Sequence, residues 1–204
     1  QSVVVIVNGN IAIMTFLLLL QGRRHLDLRL VGGMALGGLA ATPIGVLALD
    51  NASPAILRLT TATVILVLAV LSLFRVSLPF AHNRLAGPVL GFLTSLSITT
   101  LSIGGPLVAI YALNRGWAPP VIRASLAFYF LVFEGAALLL YALSGLVDRE
   151  DAGNIAFMLP GVLVGFALAS VLAGRMNAPF FRYAAIGVII AGGLTLLGRE
   201  IARL

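Results

Sequence analysis

Glu134 lies in the middle of the apolar run Phe128 to Tyr141, FYFLVFEGAALLLY, far from either end of its stretch. A carboxyl at mid-bilayer costs at least about 2.5–3.5 kcal/mol on insertion scales, so it faces a bundle interior or a cavity. Two readings stand: a proton-coupling or substrate-contacting group, or a protonated acid hydrogen-bonded to a neighbouring helix. Upstream, a run of hydroxyls that includes Thr99, Thr100 and Ser102 leads into Gly104, Gly105 and Pro106. Proline removes a donor and disfavours helix at the residue before it, and the glycines weaken it further, so two half-helices are expected to meet near Ser102 to Pro106. A half-helix N-terminus presents unpaired N–H groups that suit an anion. The substrate-binding candidates are therefore Thr99, Thr100, Ser102, Gly104, Gly105, Pro106 and, in the first apolar stretch, Asn10; the coupling candidate is Glu134.

Other chemistries find little support. The chain has no cysteine, which excludes disulfides and thiolate metal sites, and His25 and His82 sit in arginine-bearing loops without a second histidine at ligand spacing. Phosphate loops, nucleophile elbows and zinc-protease motifs are missing from the sequence. No cofactor, metal or catalytic residue is expected. Arg58 and Arg182 sit just inside apolar stretches and read as snorkelling side chains. Arg115, beside Asn114, is either an interfacial anchor or an attractor of anions, and Trp117 and Tyr183 suit an interfacial belt.

Seven apolar stretches must position these residues: about 2–20, 30–49, 56–74, 86–113, 124–143, 155–173 and 182–198. Each is the length of a membrane helix except the fourth, which is longer than one crossing needs and carries the break. Irregular backbone at that depth requires burial in protein or a water-filled cavity. Glycines in the second, sixth and seventh stretches predict close helix packing. Pro43 reads as a kink and Pro160 as a helix-start proline.

Composition agrees. The 204 residues are 60% apolar, about 71% with the 22 glycines, and only 10% charged, with a mean hydropathy of +1.10. The fold class is all-α, a polytopic transmembrane bundle of about seven segments, one of them broken or re-entrant. The net charge of +6 comes from 13 arginines scattered between apolar runs, a pattern of loop charges facing headgroups and water that argues against nucleic acid.

The chain also matches itself at an offset of 124 residues: Arg58 falls on Arg182, Arg75 on Arg199, Asp27 on Asp151 and Asn10 on Glu134. Internal duplication is common in transporters. It divides the chain into an N-terminal repeat, 1–85, and a C-terminal repeat, 86–204, with the break at 102–106. The partner of the fourth stretch would fall ahead of Gln1, so the first repeat is expected to be incomplete, and Asn10 and Glu134 are expected to flank one central site.

From Ser102 onward the sequence SIGGPLVAIYALNRGWAPPVIRASLAFYFLVFEGAALLLYALSGLVD resembles the second-repeat core of the TauE/SafE family of sulfite and organosulfur-anion exporters. The carrying residues are Gly104, Gly105, Pro106, Tyr111, Arg123, Ala124, Ser125 and Glu134. The likeness extends over essentially the whole chain, including QGRRHLDLRLV and PGVLVGF. Glu134 stands where the family commonly has asparagine, and the glycine-rich first span usual in the family is missing. The resemblance implies a permease of the bacterial inner membrane that moves sulfite or an organosulfonate. Its partners would be a small anion and the lipid bilayer, with no nucleic acid, and a homodimer is compatible.

Arginines divide about eight to five between the two sides if the fourth stretch crosses, and about nine to four if it re-enters. Re-entry would make the repeat inverted and put the Asp148 to Asp151 loop outside. The expected mechanism is alternating access around the break, with Glu134 as a protonation switch because an ionised carboxylate repels an anion. The competing class is a non-transporting membrane protein, either a structural subunit or an intramembrane enzyme; a polar, solvent-reachable cavity between Gly104 and Glu134 would support transport, and a dry, fully packed interface a subunit.

Overall fold

The computed structural model describes residues 2–53 and 83–173, with a few helical positions between 55 and 67. Most of the third stretch, all of the seventh, and Arg58, Arg75, His82, Arg182, Tyr183 and Arg199 lie outside the described residues. The described elements are α1 (Ser2–Gly22), a 3-10 turn (Arg23–His25), α2 (Leu28–Asn51), α3 (Ala86–Leu101), α4 (Gly105–Asn114), α5 (Pro119–Leu143) and α6 (Arg149–Ala173), with no strand among them. Of these, α1, α2, α5 and α6 are long and apolar enough to cross a membrane. Leu36, Leu47, Leu139 and Phe157 point outward from them.

Local chemistry sets the boundaries. At the start of α2 the Asp27 carboxylate accepts from the Arg29 N–H at 2.9 Å, an N-cap. α5 begins at Pro119, five residues before the expected 124, because prolines in a first turn lose no helical hydrogen bond. α6 begins at Arg149 rather than 155. The Asp151 N–H donates to Asp148 Oδ1 at 2.7 Å and the Asp148 N–H to Asp151 Oδ2 at 3.3 Å, a reciprocal cap that carries the helix through polar residues. Pro160 is consequently inside α6, not at its start, and Pro43 is inside α2. Asp151→Ala is expected to lower stability by about 1 kcal/mol, read as a lower thermal midpoint in detergent.

α1 and α5 run antiparallel: Gly22 packs on Ala124 at one end and Asn8 bonds to Tyr141 near the other. α2 and α3 run parallel and interlock. A Cβ at Gly37 would overlap the Pro88 carbonyl, one at Gly91 the Met34 carbonyl, and one at Gly45 the Thr99 hydroxyl. Such approach, which small residues alone permit, replaces the hydrophobic drive that lipid removes.

The fourth stretch breaks where its sequence predicts and then turns back. Gly104 lies against Ile98 and the Thr94 carbonyl, and a Cβ on Gly87 would stand 3.2 Å from the Tyr111 hydroxyl. Had α4 continued forward, Tyr111 would lie more than about 30 Å from Gly87 at about 1.5 Å per residue. The segment is a re-entrant hairpin whose two ends share one face of the bundle with the α1–α2 turn. Trp117, expected in an interfacial belt, is instead 9% exposed and packs edge-on to Tyr111 with ring centroids 5.8 Å apart.

Candidate functional site

α3 turns a buried stripe, Gly91, Thr94, Ser95, Ile98 and Thr99, toward the rest of the bundle. The spacing of three and four residues keeps them on one helix face. Ser95 meets Thr42 of α2, hydroxyl to hydroxyl at 3.3 Å, and the Tyr129 hydroxyl of α5 donates to the Gly91 carbonyl at 2.7 Å.

The stripe ends at Ser102, which caps α3 in the left-handed region at φ 56 and donates its N–H to the Ile98 carbonyl at 2.8 Å. α4 restarts at Gly105, with Pro106 in its first turn, where a missing N–H costs nothing. A Cβ at Gly105 would meet nothing within 4 Å among the described residues, so none of them covers the N-terminus of this half-helix there.

A helix ending inside a membrane leaves carbonyls without partners. Here α1 and α5 supply side chains at that end. Ser102 Oγ donates to Asn8 Oδ1 at 3.0 Å, and Asn8 Nδ2 donates to the Tyr141 hydroxyl at 3.1 Å and toward the Ile98 carbonyl at 3.5 Å. Tyr141 in turn donates to the Thr99 carbonyl at 2.5 Å. Asn8 is wholly buried, as are Thr99 and Tyr141. Thr99 Oγ1 donates to the Ser95 carbonyl at 2.8 Å and Thr100 Oγ1 to the Leu96 carbonyl at 2.7 Å, so both hydroxyls are turned to their own helix.

Glu134 is wholly buried, and neither carboxyl oxygen has a hydrogen-bond partner among the described residues; the Ser125 hydroxyl is likewise unpartnered. Glu134 precedes Tyr141 by seven residues, two helical turns, which puts both on one face of α5. Glu134 also lies within electrostatic reach of Tyr129 and Tyr141.

Of the candidate residues, the structure brings Thr99, Thr100, Ser102, Gly104, Gly105 and Pro106 together at the bend. Asn10 lies elsewhere. Two residues from Asn8, it occupies the far side of α1, where Nδ2 donates to the Ile6 carbonyl at 2.9 Å and reaches Met158 Sδ of α6 at 3.9 Å, while Oδ1 is buried and unpaired. Asn8 and Tyr141, which sequence reasoning did not single out, hold the bend. The available signal was the two asparagines two residues apart in an apolar run: about 100° per residue puts them on different faces, so only one can meet the bend.

Gly104 and Glu134 are both buried among the described residues. Membrane-length helices packed around a broken helix suit a membrane transporter. The family model described as Sulfite exporter TauE/SafE matches residues 1–196, and the chain belongs to that family. It is a transporter family of the sulfite and anion export type. Neither a curated protein nor a solved structure matches the chain.

Proposed function

We propose that the protein exports sulfite or a small organosulfonate across the bacterial inner membrane, by alternating access around the Ser102 bend. The observation that carries this reading is the bend itself: backbone broken within an apolar stretch, with the α4 N-terminus at Gly105 left uncovered by the described residues. Sulfite and sulfonate oxygens are acceptors that suit N–H groups at that terminus, and Ser102 adds a hydroxyl at the turn. Glu134 would take up and release the coupling proton. The Thr99 and Thr100 hydroxyls, each bonded to its own helix, must turn away from it before they can reach an anion.

Packing supports an inverted repeat. At the offset of 124, Asn10 corresponds to Glu134 and Met158 to Met34. Asn10 reaches Met158 across the α1–α6 contact, and α5 packs on α2, where Met34 and Glu134 are both wholly buried. Charge supports an orientation. Among the described residues, Arg23, Arg24, Arg29, Arg84, Arg115 and Arg123 lie at the end of the bundle with the α1–α2 turn and the hairpin mouth, whereas Asp50, Asp148, Glu150 and Asp151 lie at the other with Arg149. The arginine-rich end is then cytoplasmic. α3 rises about 24 Å from it, so the bend sits in the outer half of the membrane.

The test is flux in proteoliposomes containing the purified full chain. Saturable sulfite movement, competed by methanesulfonate, is expected; flux no greater than in empty liposomes for both anions would overturn the reading.

A further inference from the structure

We propose that Asn8 is a positioning residue for the transport site: its carboxamide locks the left-handed turn at Ser102 and, through Tyr141, ties that turn to the helix carrying Glu134. Three of its features converge. The side chain is wholly buried at the level of the break. Its acceptor and its donors are used on different elements, Oδ1 by Ser102 and Nδ2 by Tyr141 of α5 and the last turn of α3. And the Thr99 carbonyl, which a continuing helix would pair with the N–H of residue 103, takes the Tyr141 hydroxyl in its place.

Without these bonds the turn has little to define it. A serine visits the left-handed region sparingly, and the Cα of Ser102 is followed by two residues, Ile103 and Gly104, outside any helix. The hydroxyl bond to Asn8 selects that conformation and so sets the direction in which α4 points its N-terminal N–H groups. Because Asn8 also grips Tyr141, a shift of α5 alters the turn. The asparagine itself need touch no substrate.

The inference rests on the transport reading for the purpose of the turn, but the lock can be measured without transport. The chain has no cysteine, so Gly105→Cys gives a single thiol at a position where a Cβ meets none of the described residues within 4 Å. Its labelling by 2-sulfonatoethyl methanethiosulfonate, itself a sulfonate, is followed in membrane vesicles. In that background Asn8→Ala and Ser102→Ala are each expected to change the labelling rate about tenfold, the worth of one buried hydrogen bond. The double variant should change it no further than the larger single one, because both remove the same bond. Ser102→Ala removes one hydroxyl from a half-buried site and keeps the test alive if Asn8→Ala does not fold. A rate within twofold of the parent in both single variants, or a double effect equal to the product of the singles, would overturn the lock.

In sulfite flux, Asn8→Ala should raise KM about tenfold with the maximal rate nearly kept; a lower maximal rate at unchanged KM would mark the residue as structural only. Parent protein that labels as expected but moves neither sulfite nor methanesulfonate would remove the substrate assignment and leave the lock standing.

Discussion

Glu134→Gln is expected to flatten the pH dependence of sulfite flux while leaving membrane insertion and folding intact. The carboxyl is wholly buried, its two oxygens have no partner among the described residues, and it shares a face of α5 with Tyr141, which holds the bend. A step that needs one proton at this group lets flux change by up to about tenfold per pH unit on its limiting limb. An amide of the same shape neither takes up nor releases a proton, so over the same limb the variant should change by about twofold or less per pH unit. Because the amide keeps the shape of the carboxyl and breaks no bond to the described residues, stability should stay close to that of the parent. The measurement is flux against internal pH at fixed external pH in proteoliposomes, with the thermal midpoint as control. A pH profile superimposable on that of the parent would take Glu134 out of the coupling role and leave it a buried acid.

The largest loss of stability is expected from Gly91→Val. The α3 backbone at Gly91 abuts the backbone of Met34, so the added carbons would meet a main-chain carbonyl, which cannot rotate away as a side chain can. Overpacking in interiors typically costs about 1–3 kcal/mol, and here relief requires α2 and α3 to separate along the length that also includes Gly37 against Pro88 and Gly45 against Thr99. The cost should reach or exceed the top of that range. Much of the protein should then fail to elute as a monodisperse species in detergent. Gly135→Ala, at an exposed helical position where a Cβ meets nothing within 4 Å, should be neutral or slightly stabilising. Equal behaviour of the two variants would mean that the close approach does not hold the bundle together.

Much of this architecture was legible because its causes are local. The hydroxyl run followed by Gly104, Gly105 and Pro106 disfavours helix through backbone chemistry alone, and the break lies within that window. Apolar length announced the long helices, and their ends moved by more than two residues only where capping or proline intervened, at Pro119 and at the Asp148–Asp151 pair. The site was harder. Whether Asn8 or Asn10 meets the bend depends on the rotation of α1 about its axis, which packing against α5 and α6 decides and an apolar sequence does not encode. Re-entry was similarly undetermined by the arginine tally, because its margin was one residue. It is resolved by contacts between residues far apart in the chain, Gly104 on Thr94 and Tyr111 beside Gly87.

The interlock of α2 with α3 has a mechanical meaning. Their backbones meet at Gly37 against Pro88 and at Gly91 against Met34, and farther along Gly45 meets the short side chain of Thr99, so few flexible side chains separate the two helices. Such a seam resists sliding, so the two helices travel together. Any rocking that opens the bend to one side must hinge where side chains, not backbones, form the contact, as between α1 and α5 at Tyr141. In the proposed transport cycle the moving parts would then be assembled across the two proposed repeats, and the boundary between moving and stationary pieces would not follow the repeat boundary at 85–86.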